Sequence, residues 1–463
     1  MTSATGTSPT GSTLKEAQDF LERHPDIEAI DILLTDANGV GRGKIVRRHE
    51  LEAIYKNGRN FPISILGLDI VGEDVHETGL IWDSGDGDLR AWPIPGTLVP
   101  VFGTRRGQVL MTMHQLDGQP MSSDPRHALA RQVERCARRR LFPAGAFELE
   151  FFLLANERDG AGKLQPAKAV LDGRASGKTE VYSVDHLHGM EPLFADIYAA
   201  AKAQGVPAET VISEYAPGQY ELTLNYRTDF MRAADDLVLL KRLVRIQARR
   251  HGVTACFMAK PIEQYAGSGM HLHVSLLDAD GKNVFAETQP GTWNPALLHA
   301  LGGLTSTMAE SMLVCAPHAN SWRRFVAQSY APIAPTWGVN NRSVALRVPA
   351  SDVKARRIEH RPAGVDANPY LVGAAVLAGI LKGLDEKLDP GPETTGNGYD
   401  AAVTAGMPAD WRSAIETAKA SAFLKAALGE DMHRTFCAIK QAEYLRVAKA
   451  VSEMDYHLYL HEV

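Results

Sequence analysis

The segment FELEFFLL, residues 147–154, sets two glutamates, Glu148 and Glu150, into a run that otherwise reads as buried strand. Side chains two apart on a strand share a face. Phe147, Leu149 and Phe151 therefore take one face and the two carboxylates stand together on the other. At about 7 Å and an effective dielectric near 20, their repulsion costs roughly 2 kcal/mol. Three further stretches repeat the theme. SEYAPGQYEL places Glu214 and Glu221 on either side of a Pro-Gly turn, as if two strand ends converge. AGSGMHLHVSL puts His271, His273 and Ser275 on one face of a strand that leaves a Gly-rich loop, and KARRIEHRPAG does the same for Arg357, Glu359 and Arg361. Singly, each glutamate reads as half of an arginine pair and each histidine as a satisfied core residue. Together, so many carboxylates in apolar surroundings need compensating cations. Hard divalent ions such as Mg²⁺ and Mn²⁺ bind carboxylate oxygens, with imidazole as a further donor. Three carboxylates for one ion, and two plus a histidine for another, make a two-metal site.

Arginines gather in the same region: Arg323 and Arg324 in NSWRRF, Arg342 and Arg347 in NNRSVALRVP, Arg356, Arg357 and Arg361 in ARRIEHR. Guanidinium groups match carboxylate and phosphate bidentately. Two metals beside an arginine cluster point to phosphoryl transfer, where charge on the transferred group must be neutralised. No GxxxxGK[ST] occurs, so a nucleotide would be held by another device. Surface ion pairing is the plain alternative, but these arginines lie in strand-like runs beside Gly and Pro.

These residues need elements to position them. Thr13 and Glu16 have capping-box spacing ahead of a first helix, LKEAQDFLERHP. AIDILLTDANGVGRGKIV reads as two strands around an Asn-Gly turn, and LRAWPIPGTLVPVF and QVLMTMHQL continue the strands. The character changes at Asp124-Pro125, a helix-opening pair. Beyond it the pattern predicts strands over 146–154, 253–260 and 270–277 and a helix over 233–250. Further helices open at Asn294-Pro295 and Asn368-Pro369 and run from about 409 to 455. The expected organisation is a disordered tail over 1–12, a small, mostly β N-terminal domain over 13–121, and a larger domain over 122–463.

At 463 residues the chain is long enough for two domains, and its composition, 45% hydrophobic and 22% charged, is that of a soluble globular protein. A formal net charge of −6 argues against a general nucleic-acid binder. CARRRL, 136–141, reads as the solvated end of a helix. No run reaches the roughly 18 apolar residues of a membrane span, and the N-terminus lacks the build of a signal peptide. Cys136, Cys256, Cys315 and Cys437 are far apart and are expected as reduced core residues of a cytoplasmic protein.

From DILLTDANGVGRGK to EHRPAGVDANPYL, the ordered motifs resemble the glutamine synthetase family in its bacterial class I form. That resemblance implies an α+β fold, with a β-grasp-like N-terminal domain and a large catalytic domain. It also implies a homo-oligomer, a dodecamer of two stacked rings. Carried over, Glu150, Glu214 and Glu221 would hold one metal, and Glu148, His271 and Glu359 a second that bridges the phosphates. Gly267, Arg324, Arg342 and Arg361 would grip glutamate. His273, Ser275, Arg347 and Arg357 would serve the phosphates of ATP, with Tyr226 against the adenine; Arg347, Arg357 and Tyr330 are the candidate catalytic residues.

Departures from the family pattern fall in one place. Ammonia-using members carry FDGSS and PGYEAP, whose acids serve ammonium; here the stretches read FPISI and AQSYAP, with Pro62 and Tyr330 in those positions. The Asn of NGSGMH is Ala266. Removing both acids leaves a larger, less anionic amine subsite, and FPISILGLDI, VYSVDHL and SYAP are most similar to members that glutamylate putrescine. The expected partners are thus glutamate, ATP and a primary amine, with Mg²⁺ or Mn²⁺. In GLDIVGEDVHETG, Asp69, Glu73, Asp74 and Glu77 are candidates for a diamine's distal ammonium; for each, a solvated loop is the plainer reading. An ammonia-using glutamine synthetase and a non-catalytic homologue are the alternatives. Tyr399 in GNGYDAA sits near a tyrosine that the family modifies, but its flanks differ.

Overall fold

The computed structural model describes residues 8–287, 289, 291–400 and 407–463. Six strands of the N-terminal part form one sheet: β1 (Ala29–Thr35), β2 (Gly41–Arg47), β3 (Arg59–Pro62), β4 (Asp88–Pro93), β5 (Val99–Val101) and β6 (Arg106–His114). Their order is β2-β1-β6-β4-β3, with β5 also on β6, and only β1 and β6 run parallel. The β1–β2 connection is five residues, 36–40, because the Asp36 side chain replaces a tight turn. Its Oδ1 accepts from Asn38 N and Val40 N, 2.9 Å each. Helix Leu14–Arg23 is capped by Thr13, whose hydroxyl accepts from Glu16 N. The other half of the expected box does not form, since the Glu16 carboxylate accepts from Gly96 N at 2.8 Å. Phe20, Ile30, Ile32, Phe61, Val109 and Met111 share this part's core. Of the expected tail, residues 1–7 lie outside the described residues. Thr10 is tied by its hydroxyl to Pro93 O, 2.6 Å, and Ser12 is buried.

The second sheet contains β7 (Phe142–Ala155), β8 (Ala208–Ser213), β9 (Gln219–Leu224), β10 (Val253–Cys256), β11 (Leu272–Leu277), β12 (Trp337–Val339), β13 (Leu346–Val348) and β14 (Ile358–His360). Its order is β12-β13-β14-β11-β7-β9-β8, with β10 on β7. β7 is central and long, and its Phe147, Leu149 and Phe151 are wholly buried. They face a helical layer built on Phe230–Arg250, Pro125–Arg138 and Pro369–Glu386, the last two capped by Asp124 and Asn368. Helix Pro369–Glu386 lies almost in contact with helix Pro295–Ser306. A Cβ on Gly303 would sit 2.1 Å from Gly379 O, and one on Gly383 2.0 Å from His299 O, so only glycine allows the approach. The strand expected over 253–260 stops at Cys256, and the one over 270–277 begins at Leu272. The result is the mixed fold of sheets and helices that was expected. Among the described residues no helix is long and apolar enough to cross a membrane.

A buried polar junction ties helix Glu430–Lys449 to the N-terminal sheet. Lys440, fully buried, donates to Asn38 Oδ1 and to Glu443 Oε2, the latter at 2.9 Å. Glu443 Oε1 accepts Ile70 N at 2.9 Å, and His318 Nδ1 lies 3.5 Å from its other oxygen. Burial alone would push the Glu443 carboxyl up; Lys440 and His318 outweigh it and hold the group at about 2. Its contribution is therefore present above the ordinary value near 4.5 and is lost as pH falls toward 2. Glu443→Ala strands a buried ammonium and should destabilise the protein by about 3 kcal/mol at pH 7. The gap in melting temperature between variant and wild type should narrow as the pH is lowered to 3.

Candidate active site

Glu150 on β7 stands directly opposite Glu221 on β9 in the strand register. Paired positions bring like charges within about 5 Å between Cα atoms, which is destabilising without a cation. Glu214 follows the end of β8, its N donating to Gln219 O across the Pro-Gly turn. On the other side of β7, β11 brings His271 and His273. Their ring nitrogens meet the two oxygens of Glu148, His271 Nδ1 at 2.9 Å and His273 Nε2 at 2.8 Å. β14 pairs with β11 so that Glu359 opposes His273, and Arg347 on β13 opposes Glu359. Arg347 donates to Glu359 Oε2 at 2.6 Å, and Arg361 donates to its other oxygen.

Two outcomes of burial coexist within this cluster. Burial pushes the Glu148 carboxyl up, but hydrogen bonds from His271 and His273 prevail and hold it well below the usual range. Glu359 is likewise held at about 2 against burial, by His273, Arg361 and His271. Glu214 lacks such partners: burial and then Glu150 push it to about 7. Glu221 is raised well above the ordinary value, first by burial and then by Glu148, Glu150, Glu214 and Glu359, which all repel its charge. Oxygen donors crowded this closely, with imidazole at hand, fit a hard divalent cation. Two groups have ligand atoms within 4.8 Å of one another: Glu148, Glu221 and His271, and Glu148, His273 and Glu359. These groupings cut across the expected sets, with His273 beside Glu148 and Glu359 while Glu150 and Glu214 stand outside both.

Next to the cluster opens a cavity of about 1300 Å³, lined by Glu148, Tyr226, His273, Ser275, Arg357 and Lys354 among others. Arg357 Nε lies 3.1 Å from His273 Nδ1, so this histidine stands between cavity and carboxylates. The other flank is made by the loops 265–270 and 361–367. Gly269 N donates to Glu150 Oε2 at 2.6 Å, and the buried Arg324 guanidinium donates to Pro362 O at 2.8 Å. A Cβ on Gly267 would meet Arg324 Cγ at 2.7 Å and Ala259 O at 2.8 Å, so glycine is required there. Arg342 is exposed and acts on Glu214 through its charge. Tyr330 is exposed, with its backbone oxygen 3.4 Å from Arg361 Nη2.

Pro62 is not brought to this cluster: it ends β3 in the other sheet, paired with Asp88. Two of the acids after it are otherwise engaged. Asp69 is buried, accepts from Val71 N, Gly72 N and Glu73 N, and pairs with Arg446 at 2.8 Å; Glu73 also pairs with Arg446. Glu77 lines a separate cavity with Lys419, His433 and Arg434. Asp74 and Glu77 are both exposed and keep the solvated-loop description. Sequence reasoning missed Asn340, which braces Arg347 at 2.9 Å, and Gln219, whose amide holds Gly267 O at 2.9 Å. It also passed over Lys354, three residues before Arg357 and adjoining the same motif.

The glutamine synthetase catalytic domain matches residues 122–459. The chain is 40% identical to the gamma-glutamylputrescine synthetase PuuA of Escherichia coli (strain K12), over 95% of this chain and 93% of that one. It is 32% identical to the glutamate–isopropylamine ligase of a Pseudomonas species, over 85% of each. Among solved structures it superposes on GmaS in complex with ADP with a TM-score of 0.83 at 27% identity, covering 96% of this chain and 99% of that one. With the carboxylate–imidazole cluster, the arginine set and the fold in agreement, the chain belongs to the glutamine synthetase family.

Proposed function

We propose that this enzyme joins the γ-carboxyl of glutamate to a primary amine, putrescine first among them, with ATP as the driving reactant. One contrast carries the reading. The carboxylate–imidazole cluster and the arginines around Glu359 are complete, yet the segment against Arg361, residues 326–331, presents an exposed tyrosine and no acid. The relatives that join amines to glutamate support the same direction.

In this reading the cavity beside His273 takes ATP, with Tyr226 against the base and Ser275, Arg357 and Lys354 toward the phosphates. Arg324, Arg342 and Arg361, with the backbone at Gly267, hold glutamate so that its γ-carboxylate faces the γ-phosphorus. Mg²⁺ or Mn²⁺ bound among Glu148, Glu150, Glu214, Glu221, His271 and Glu359 would offset the crowded negative charge there and on the phosphates. The γ-carboxylate oxygen attacks phosphorus, the bond to the bridging oxygen of ADP breaks, and γ-glutamyl phosphate forms. Arg347, braced by Asn340, and Arg357 are aimed to stabilise charge on the transferred group. A neutral amine then attacks the carbonyl carbon and expels phosphate. Tyr330 is a hydrogen-bonding neighbour for that amine and not its base, since a phenol is a poor proton acceptor. Because Pro62 stands apart from the cluster, its part in the amine subsite requires a second copy of the chain, in a ring assembly.

Metal dependence has a pH signature. Glu214, raised to about 7, and Glu221, also raised well above its ordinary value, bind protons more tightly when folded than unfolded. Their penalty is absent below about pH 4.5 and grows as pH rises through the folded values. The melting temperature of metal-free protein should therefore fall between pH 6 and 8, and Mg²⁺ should raise it more at pH 8 than at pH 6. Glu359→Gln should lower phosphate release by at least about a hundredfold; full activity in excess chelator would overturn the metal assignment.

Light scattering should show an assembly many times the 50.4 kDa of one chain. An active monomer would remove Pro62 from the amine subsite.

Substrate choice is read by competition. Wild type should glutamylate putrescine far faster than ammonium, and the pair Pro62→Asp with Tyr330→Glu should move the preference toward ammonium. A wild type that prefers ammonium to every amine tried is an ammonia-using glutamine synthetase.

A further inference from the structure

The segment 326–331 is held in a backbone shape that its sequence does not favour. Gln328 and Tyr330 have φ of 64° and 59°, in the left-handed region. For residues with a side chain that shape costs on the order of 1 kcal/mol each and persists only where surrounding contacts fix it. Two contacts are local: the Ser329 hydroxyl donates to Val326 O at 2.6 Å and lies 3.2 Å from Arg324 O. A third, from Arg361 to Tyr330 O, is long at 3.4 Å. Main-chain bonds within the segment add to these, and one contact comes from far along the chain, where the Tyr399 hydroxyl donates to Ala331 O at 2.9 Å.

Tyr399 is itself anchored. Gly398 N donates to Ser343 Oγ at 2.7 Å, and Tyr399 N donates to Asn397 Oδ1 at 3.2 Å. A Cβ on Gly398 would stand 2.6 Å from Ser343 O, so the turn is pressed against the segment that follows Arg342. The charged neighbours of the half-buried phenol are Arg361 and Arg324. It therefore sits beneath the segment, at the end of the site that faces glutamate in the reading above, and not in the nucleotide cavity.

We propose that Tyr399 is a positioning residue that latches residues 326–331 over the acyl phosphate, so that this intermediate meets the amine before it meets water. The proposal rests on the ligase reading. Two nucleophiles compete at the carbonyl carbon of γ-glutamyl phosphate. Amine attack forms a C–N bond, breaks the C–O bond to phosphate and releases a proton from nitrogen. Water attack forms a C–O bond, expels the same phosphate, releases a proton and returns glutamate. Both consume one ATP; only the first gives amide. Tyr399 touches neither the substrate nor the reacting atoms and acts through the backbone oxygen of Ala331.

The test is Y399F, which removes the hydroxyl and keeps the ring. With ATP, glutamate, Mg²⁺ and putrescine, phosphate and amide are counted in the same sample. The loss of one hydrogen bond of ordinary strength should lower amide per phosphate and raise the KM for amine by about fivefold. The KM for ATP should hold. Hydrogen exchange should quicken at the amides of 326–331 and stay slow in β7. A wild-type ratio of amide to phosphate, or unchanged exchange in 326–331, overturns the proposal. If wild type takes ammonium in place of amines, the substrate reading fails, and the ratio scored with ammonium still decides the latch. Should Y399F not accumulate as folded protein, S343A, which keeps the Tyr399 hydroxyl but removes the Gly398 N anchor that holds its turn against the segment, must show the same fall. A wild-type ratio there overturns the proposal equally.

Discussion

Like charges facing one another across two hydrogen-bonded strands are the constraint around which this site is organised. Glu150 and Glu221 are register partners on β7 and β9, Glu148 shares a strand face with Glu150, and Glu214 arrives from the adjoining strand end. A sheet cannot spread such groups apart, because strand spacing and pleat are fixed by the backbone. The surroundings must supply the answer. Toward β11 and β14, imidazoles and guanidiniums supply it within the chain, and Glu148 and Glu359 stay ionised. Toward β8 and β9 burial and neighbouring carboxylates outweigh the exposed Arg342, and Glu214 and Glu221 cling to protons. The cluster is thus half balanced and half open to a cation from solution.

The balanced half is also where the two flanks of the site connect. His273 touches Glu148 with one ring nitrogen and Arg357 with the other, and Glu359 takes a guanidinium on each oxygen. A change of charge at the cavity wall is therefore felt at the carboxylates through a single imidazole. The loops carrying Gly267 and Arg361 are fixed to each other by main-chain bonds, Met270 N to Ala363 O and Val365 N to Ser268 O. Catalytic geometry depends on such cross-bracing, since misplacement by about 1 Å can cost roughly a hundredfold in rate.

Much of this was legible because the informative residues lie within short runs. Period-two alternation in FELEFFLL, the Pro-Gly turn before Glu221 and the Asn-Pro helix openings each state a local geometry in a few letters. What escaped was set by partners remote in the chain. Glu16 has the spacing of a capping residue, but Gly96 N lies closer to hand, and the carboxylate turns there. Asp69 reads as a free acid in an acidic loop until Arg446, at the far end of the chain, closes on it. The Asn-Gly of DANGVG signals a tight hairpin, while Asp36 builds a longer loop with its own side chain. The chain also reveals which side chains gather without stating how they group. His273 reads as a phosphate neighbour, and only the register of β11 against β7 and β14 sets it between Glu148 and Glu359.

β7 runs through all of this as a single uninterrupted strand. Its early residues, Ala144 to Ala146, wall the cavity, and Glu150, four residues on, receives the loop that carries Gly267. At roughly 3.3 Å per residue the span from Ala144 to Glu150 is about 20 Å. An extended chain has no slack to lengthen or shorten, so that span works as a ruler cut once for the fold. In the proposed reading, nucleotide and acid donor would thereby be spaced alike whatever acceptor follows them. Room for a new acceptor can open only at the loop-built end of the ruler, where the backbone is free to be redrawn.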